Sequence, residues 1–80
     1  MAYYRIRTND GSSTTHQALR MRADASALYL EDRSAGLWRV VRSWRLGEVV
    51  TVQRRFTEHD GTWTWLTEPL PAPTGVRGWN

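Results

Sequence analysis

The sequence predicts an all-β fold: a small antiparallel meander of five to six strands, closed as a barrel or folded over as two layers. Three observations carry this expectation. Apolar and polar residues alternate with period 2 in most segments. Those segments are rich in Val, Trp and Tyr, which suit a pleated surface. The connections are short and built from Gly, Asp, Asn and Ser, and short connections favour antiparallel neighbours.

The elements follow in order. "YYRIRT" (Tyr3–Thr8) alternates as a half-buried strand, with Tyr4 and Ile6 on one side and Tyr3, Arg5 and Arg7 on the other. "NDGSS" is turn chemistry. "HQALRMRAD" (His16–Asp24) has two readings. Thr14 followed by Gln17 fits a capping box that opens a helix. Alternation of Leu19 and Met21 with Arg20 and Arg22 fits a strand, which is the reading adopted. "SALYLED" (Ser26–Asp32) is a strand with Leu28 and Leu30 on one side, and "RSAG" turns the chain. "LWRVVRSWRL" (Leu37–Leu46) is the next strand, broken by Gly47. "EVVTVQRRFT" (Glu48–Thr57) follows, then "EHDG", whose Asp-Gly signals a hairpin, and "TWTWLTE" (Thr62–Glu68) returns. Arg42 and Arg54 interrupt otherwise apolar parities. That predicts a bulge, a strand end or a paired edge at each.

Residues 1–68 therefore form a single β domain, and residues 69–80 an extended tail in which Pro69, Pro71 and Pro73 prevent ladder bonding. Eighty residues make one domain at most. A chain this short buries roughly two-thirds of its unfolded surface, so its core is thin. The five Trp are expected to supply much of it. In particular, Trp63 and Trp65 share one face of the last strand, and burial against Trp38, Trp44 or Phe56 is expected for both.

No stretch approaches the length of a membrane span and the N-terminus has no signal-peptide run, so a cytoplasmic protein is expected. The absence of Cys excludes disulfides and Cys-based zinc sites. His16 and His59 are the only histidines and form no ligand pattern. No metal and no cofactor is expected. There is no nucleophile elbow, no separable carboxylate pair and no Gly-rich phosphate loop, so an enzyme is not expected.

Binding remains. Net charge is +3, and all eleven cations are Arg. Arg is favoured over Lys where bidentate contact with phosphate or carboxylate matters. The competing explanation, which fits the scarcity of Lys, Ile, Phe and Asn, is a GC-rich bacterial or phage genome. If the first strand pairs with "ALRMR", then Arg5, Arg7, Arg20 and Arg22 converge on an outer face beside Tyr3, a candidate nucleic-acid surface. The opening of the second half, "LWRVVRSWRLGEVVTVQRRF", is half-apolar on both faces, which requires cover from the tail, the rest of a barrel or another subunit. Arg39, Arg45, Arg55 and Trp79 then mark the rim of an interface, since Arg and Trp are enriched at protein–protein contacts.

"SALYLED" followed by "WRLGEVVTVQRRF" resembles the strand–basic–strand rhythm of small bacterial pleckstrin-homology-like or SH3-like modules. The likeness covers about half of the chain, includes no diagnostic residue and places no site. The expectation is a non-enzymatic interaction module that binds a protein partner or self-associates. The alternative is a small nucleic-acid-binding β-barrel that uses an arginine-rich sheet face.

Overall fold

The computed structural model describes residues 2–71. Seven strands run along it: β1 (Ala2–Thr8), β2 (Ser13–Ala18), β3 (Arg20–Ala23), β4 (Ala27–Ser34), β5 (Leu37–Arg45), β6 (Val49–Thr57) and β7 (Trp63–Thr67). A short 3-10 turn, Leu46–Glu48, joins β5 to β6. None of the described helices is long and apolar enough to cross a membrane. Pro73 and Trp79 lie outside the described residues.

The strands form two antiparallel sheets, ordered β2-β1-β6-β7 and β3-β4-β5, and the fold is not a closed barrel. It departs from a simple meander in two places. The segment read as one strand, His16–Asp24, divides at Leu19: Ala18 pairs with Ala2 in the larger sheet, and Arg20 pairs with Glu31 in the smaller. The Leu19 N–H holds this corner, donating to the Glu31 carbonyl at 3.1 Å and to Asp32 Oδ1 at 2.9 Å. The second departure is at Gly47. The 3-10 turn there is a corner and not a hairpin, and it carries β6 away from β5 to pair with β1. The Leu46 N–H donates to the Ser26 carbonyl, and the Asn9 N–H to that of Glu48, both within 3.0 Å.

The core lies where the sheets meet. Tyr4, Ile6, Ala18 and Val52 come from the larger sheet, Leu28 and Leu30 from the smaller, and Leu46 from the connecting turn. Met21, Trp44, Val49 and Leu70 pack around them. The core is therefore mainly aliphatic. Of the Trp residues expected to build it, only Trp44 packs against this cluster among those described. Leu70 brings the start of the Pro-rich segment onto the domain body.

Both arginines that interrupt apolar parities have their structural reason. The β4–β5 register shifts between Leu30 and Glu31: Leu30 faces Arg42, but Glu31 faces Val40, so Val41 is an extra residue next to Arg42. Arg54 is paired, its Nε donating to Glu68 Oε1 at 2.8 Å. A second shift between Arg7 and Thr8 leaves Val50 unpaired on β6. Val50 stays exposed while Val49 packs on the core.

Three turns share one local device, Asp-x-Ser/Thr. Asp10 Oδ1 accepts from the Ser12 N–H and Oγ and from Thr8 Oγ1. Asp24 Oδ1 accepts from Ser26 N–H and Oγ and from the Ala27 N–H. Asp60 Oδ1 accepts from Thr62 N–H and Oγ1. Such side chains replace a missing backbone partner and fix the turn. The β4–β5 turn lacks this device. Ala35 at φ 52° and Gly36 at φ 81° both occupy the left-handed region, as in a type I′ hairpin. Ala pays a steric cost there that Asn largely escapes. Ala35→Asn should therefore stabilise the domain by about 1 kcal/mol, which chemical denaturation would read as a higher midpoint at an unchanged slope.

Candidate binding surfaces

Among the described residues, the strands leave two surfaces without an apolar neighbour, one on each sheet. The first is the outer face of the larger sheet. Period-2 alternation puts Tyr3, Arg5 and Arg7 of β1 on this face, because Tyr4 and Ile6 point into the core. Arg5 lies between Thr15 of β2 and Gln53 of β6, and Arg7 between Ser13 and Thr51. Beyond them, β7 sets Trp65 opposite Arg55 and Trp63 opposite Thr57.

The side chains on this face interlock. Arg5 Nε and Nη2 donate to Gln53 Oε1 at 2.9 and 2.7 Å, and its guanidinium lies 4.3 Å from the Trp65 ring centre. Arg55 sits 4.1 Å over Tyr3 and 4.7 Å over Trp63. The two indoles meet edge to face at 6.1 Å. Cation–π contacts of this kind hold guanidiniums in place without using their N–H donors, so Arg5 keeps the donors of its outer Nη1/Nη2 edge that Gln53 does not take. Next to the ladder is an open depression of about 520 Å³, lined by Arg5, Arg7, Gly11, Ser13, Thr51 and Gln53.

Trp63 and Trp65 are thus not core residues. Trp63 is 52% exposed, Trp65 is half-buried, and Phe56 belongs to the opposite parity of the sheet. Spacing by two correctly places the indoles on one face, but that face is the outer one. Truncation of Trp63 would therefore cost far less than the roughly 3–5 kcal/mol of a core tryptophan.

The second surface is the smaller sheet, above all its edge strand β5. Arg20 and Arg22 lie here and not beside Arg5 and Arg7, because the corner at Leu19 carries β3 into the other sheet. Both are engaged. Arg20 Nε is 2.7 Å from Glu31 Oε1, and Arg22 Nη2 is 3.4 Å from Glu31 Oε2. Arg20 also stacks 3.6 Å over Trp38, and Arg22 4.2 Å over Tyr29. Glu31 is only 4% exposed beneath them. The Arg20 hydrogen bond, with the charge of both guanidiniums, holds its carboxyl below the usual glutamate range against the opposing effect of burial. The four arginines expected to converge are thus divided between the sheets: among the described residues Arg5 and Arg7 enter no ion pair, while Arg20 and Arg22 share one carboxylate. The corner shows in the burial: Ala18 and Met21 both pack inward although three positions apart, which no single regular strand allows.

On β5 every residue but Trp44 is exposed. Leu37 is 69% exposed, and Val40, Val41 and Trp38 are exposed as well. Arg39 and Arg45 lie on this strand with Arg42. None of the three enters an ion pair among the described residues. Arg55, expected on the same rim, is instead on the ladder of the larger sheet, and Trp79 lies outside the described residues.

His16 lies between the surfaces. Its ring packs 5.2 Å from Trp44 and its Nε2 is 2.8 Å from Thr14 Oγ1. Burial, and secondarily the charge of Arg42, holds its pKa below the ordinary histidine value.

Compared with known proteins, the chain matches no family model, no curated protein and no solved structure.

Proposed function

We propose that the chain is a non-enzymatic interaction module that acts by occupancy, docking a protein partner along β5. The observation that carries this reading is the exposure of that strand: an edge strand of nine residues, apolar on both faces and open along its free edge. Such an edge accepts an additional strand through its backbone groups, while side chains set the specificity.

Charge selects the kind of partner. Arg39, Arg42 and Arg45 point to an extended segment that carries carboxylates among apolar residues. A second copy of this chain fits poorly. Antiparallel pairing of two β5 strands about Val41 would line up six guanidiniums along one seam with no carboxylate, within the ~8 Å over which charges act at physiological salt. Arginines and a bulge on an edge are also recognised guards against self-pairing.

Capture from nuclease-treated lysate of the source organism tests this. A defined protein should be retained by the wild type and lost with a Leu37→Asp, Val41→Asp double variant whose melting temperature is unchanged. Retention by that variant, or a monomer that captures nothing, would contradict the reading.

A further inference from the structure

We infer that the outer face of the larger sheet is a binding site for single-stranded nucleic acid, with a phosphate in the depression between Arg5 and Arg7 and bases on the neighbouring indoles. The inference does not depend on β5, which belongs to the other sheet.

The depression is lined by hydrogen-bond donors. Gln53 turns its carbonyl oxygen to Arg5 and so presents its amide NH2 elsewhere. Ser13 and Thr51 add hydroxyls, and Arg5 and Arg7 add guanidiniums. No carboxylate of the described residues lines it. The acid nearest in sequence, Asp10, directs Oδ1 to Thr8 and Ser12. Neither Arg5, Arg7 nor Arg55 enters an ion pair among the described residues. A lining with guanidiniums, an amide NH2 and hydroxyls that can turn their O–H inward fits an oxyanion, and a guanidinium pair fits phosphate in bidentate geometry. Arg5 is held in advance by Gln53 and Trp65, so little order is lost when it binds.

The aromatic residues decide which phosphate. Trp63, Trp65 and Tyr3 lie on the same face, and Trp63 is the most exposed indole among the described residues. A ring on a broad sheet stacks with an unpaired base, whereas a duplex hides its base faces. An isolated phosphate or a lipid headgroup would use the arginines and leave the indoles idle.

The test is fluorescence titration of the full chain with oligothymidylate at low and moderate salt, with blunt duplex DNA, inorganic phosphate and phosphatidylserine vesicles as parallel arms. Oligothymidylate should bind, quench the indole emission and weaken steeply with salt. Arg7→Ala should weaken binding and reduce the salt slope by about 1. Trp63→Ala should weaken it about ten-fold or more by removing a stacked base. Both residues are exposed, so both variants should fold. The β5 double variant should bind as the wild type does. The inference is overturned by absence of binding at low salt, by binding that survives both single variants, or by vesicles or duplex binding better than oligothymidylate.

Discussion

Replacing Leu30 by alanine is expected to cost about 3–4 kcal/mol, a large share of the stability of so small a domain. Leu30 is fully buried in β4, opposite Met21 of β3, where the smaller sheet meets Tyr4, Ile6 and Val52 of the larger. The core is a single aliphatic cluster, so the cavity cannot be filled by a second layer of side chains. In a domain of this size the melting temperature should fall by about 15 °C or more. Leu37→Ala is the matched control. The same substitution at the far end of the neighbouring strand, on a residue open to solvent, should change stability by no more than about 0.5 kcal/mol. Equal losses at the two sites would contradict the placement of the core.

The second large effect is expected at Glu31. It is the one charged residue that is buried among those described, and it balances two guanidiniums. Glu31→Ala would leave Arg20 and Arg22 side by side along β3 without the counter-charge they share. The melting temperature should drop by several degrees, and Glu31→Gln, which keeps an acceptor, should drop it less. The response to pH should change with it. Hydrogen bonds hold Asp10 down to about 2 and keep Asp24 and Asp60 below their ordinary value, while Arg20 does the same for Glu31. A carboxylate whose folded pKa is depressed stabilises the fold above its unfolded pKa, near 4. That contribution is lost as pH falls toward the folded value. Thermal melts should therefore show declining stability from about pH 4 downward. Glu31→Ala should flatten this decline. An unchanged acid profile would mean that the Glu31 ion pairs contribute nothing.

The sequence revealed the elements of this fold better than their partners. Tyr4 and Ile6, like Leu28 and Leu30, declare their faces by spacing alone, because side chains alternate along a strand. The interruptions at Arg42 and Arg54 were legible for the same reason: a cation on an apolar parity needs an extra residue or a counter-ion, and Val41 and Glu68 supply them. What alternation cannot state is which strand lies alongside. The pairing of β1 with β6 joins residues far apart in the chain, and it depends on a corner at Gly47 that reads locally as any other turn. The bend at Leu19 is hidden in the same way, and it separates Arg20 and Arg22 from Arg5 and Arg7. The candidate site was thus half legible. Tyr3, Arg5 and Arg7 are on the expected face, but Arg55, Trp63 and Trp65 complete it only because β6 and β7 pair beside β1. Trp63 and Trp65 were expected inside on the ground that large aromatics seek burial. Guanidiniums stacked on their rings provide a different cover and let them remain at the surface.

The central claim, that β5 is an open edge awaiting a partner strand, is tested most directly by amide hydrogen exchange across Leu37–Arg45. The N–H groups directed at β4 should be protected in the isolated chain and those on the free edge should exchange rapidly, at dilute and concentrated protein alike. Addition of the captured partner should protect the free-edge amides and leave β2 and β7 unchanged. Free-edge amides already protected in the isolated chain, or protection gained at another strand, would contradict it.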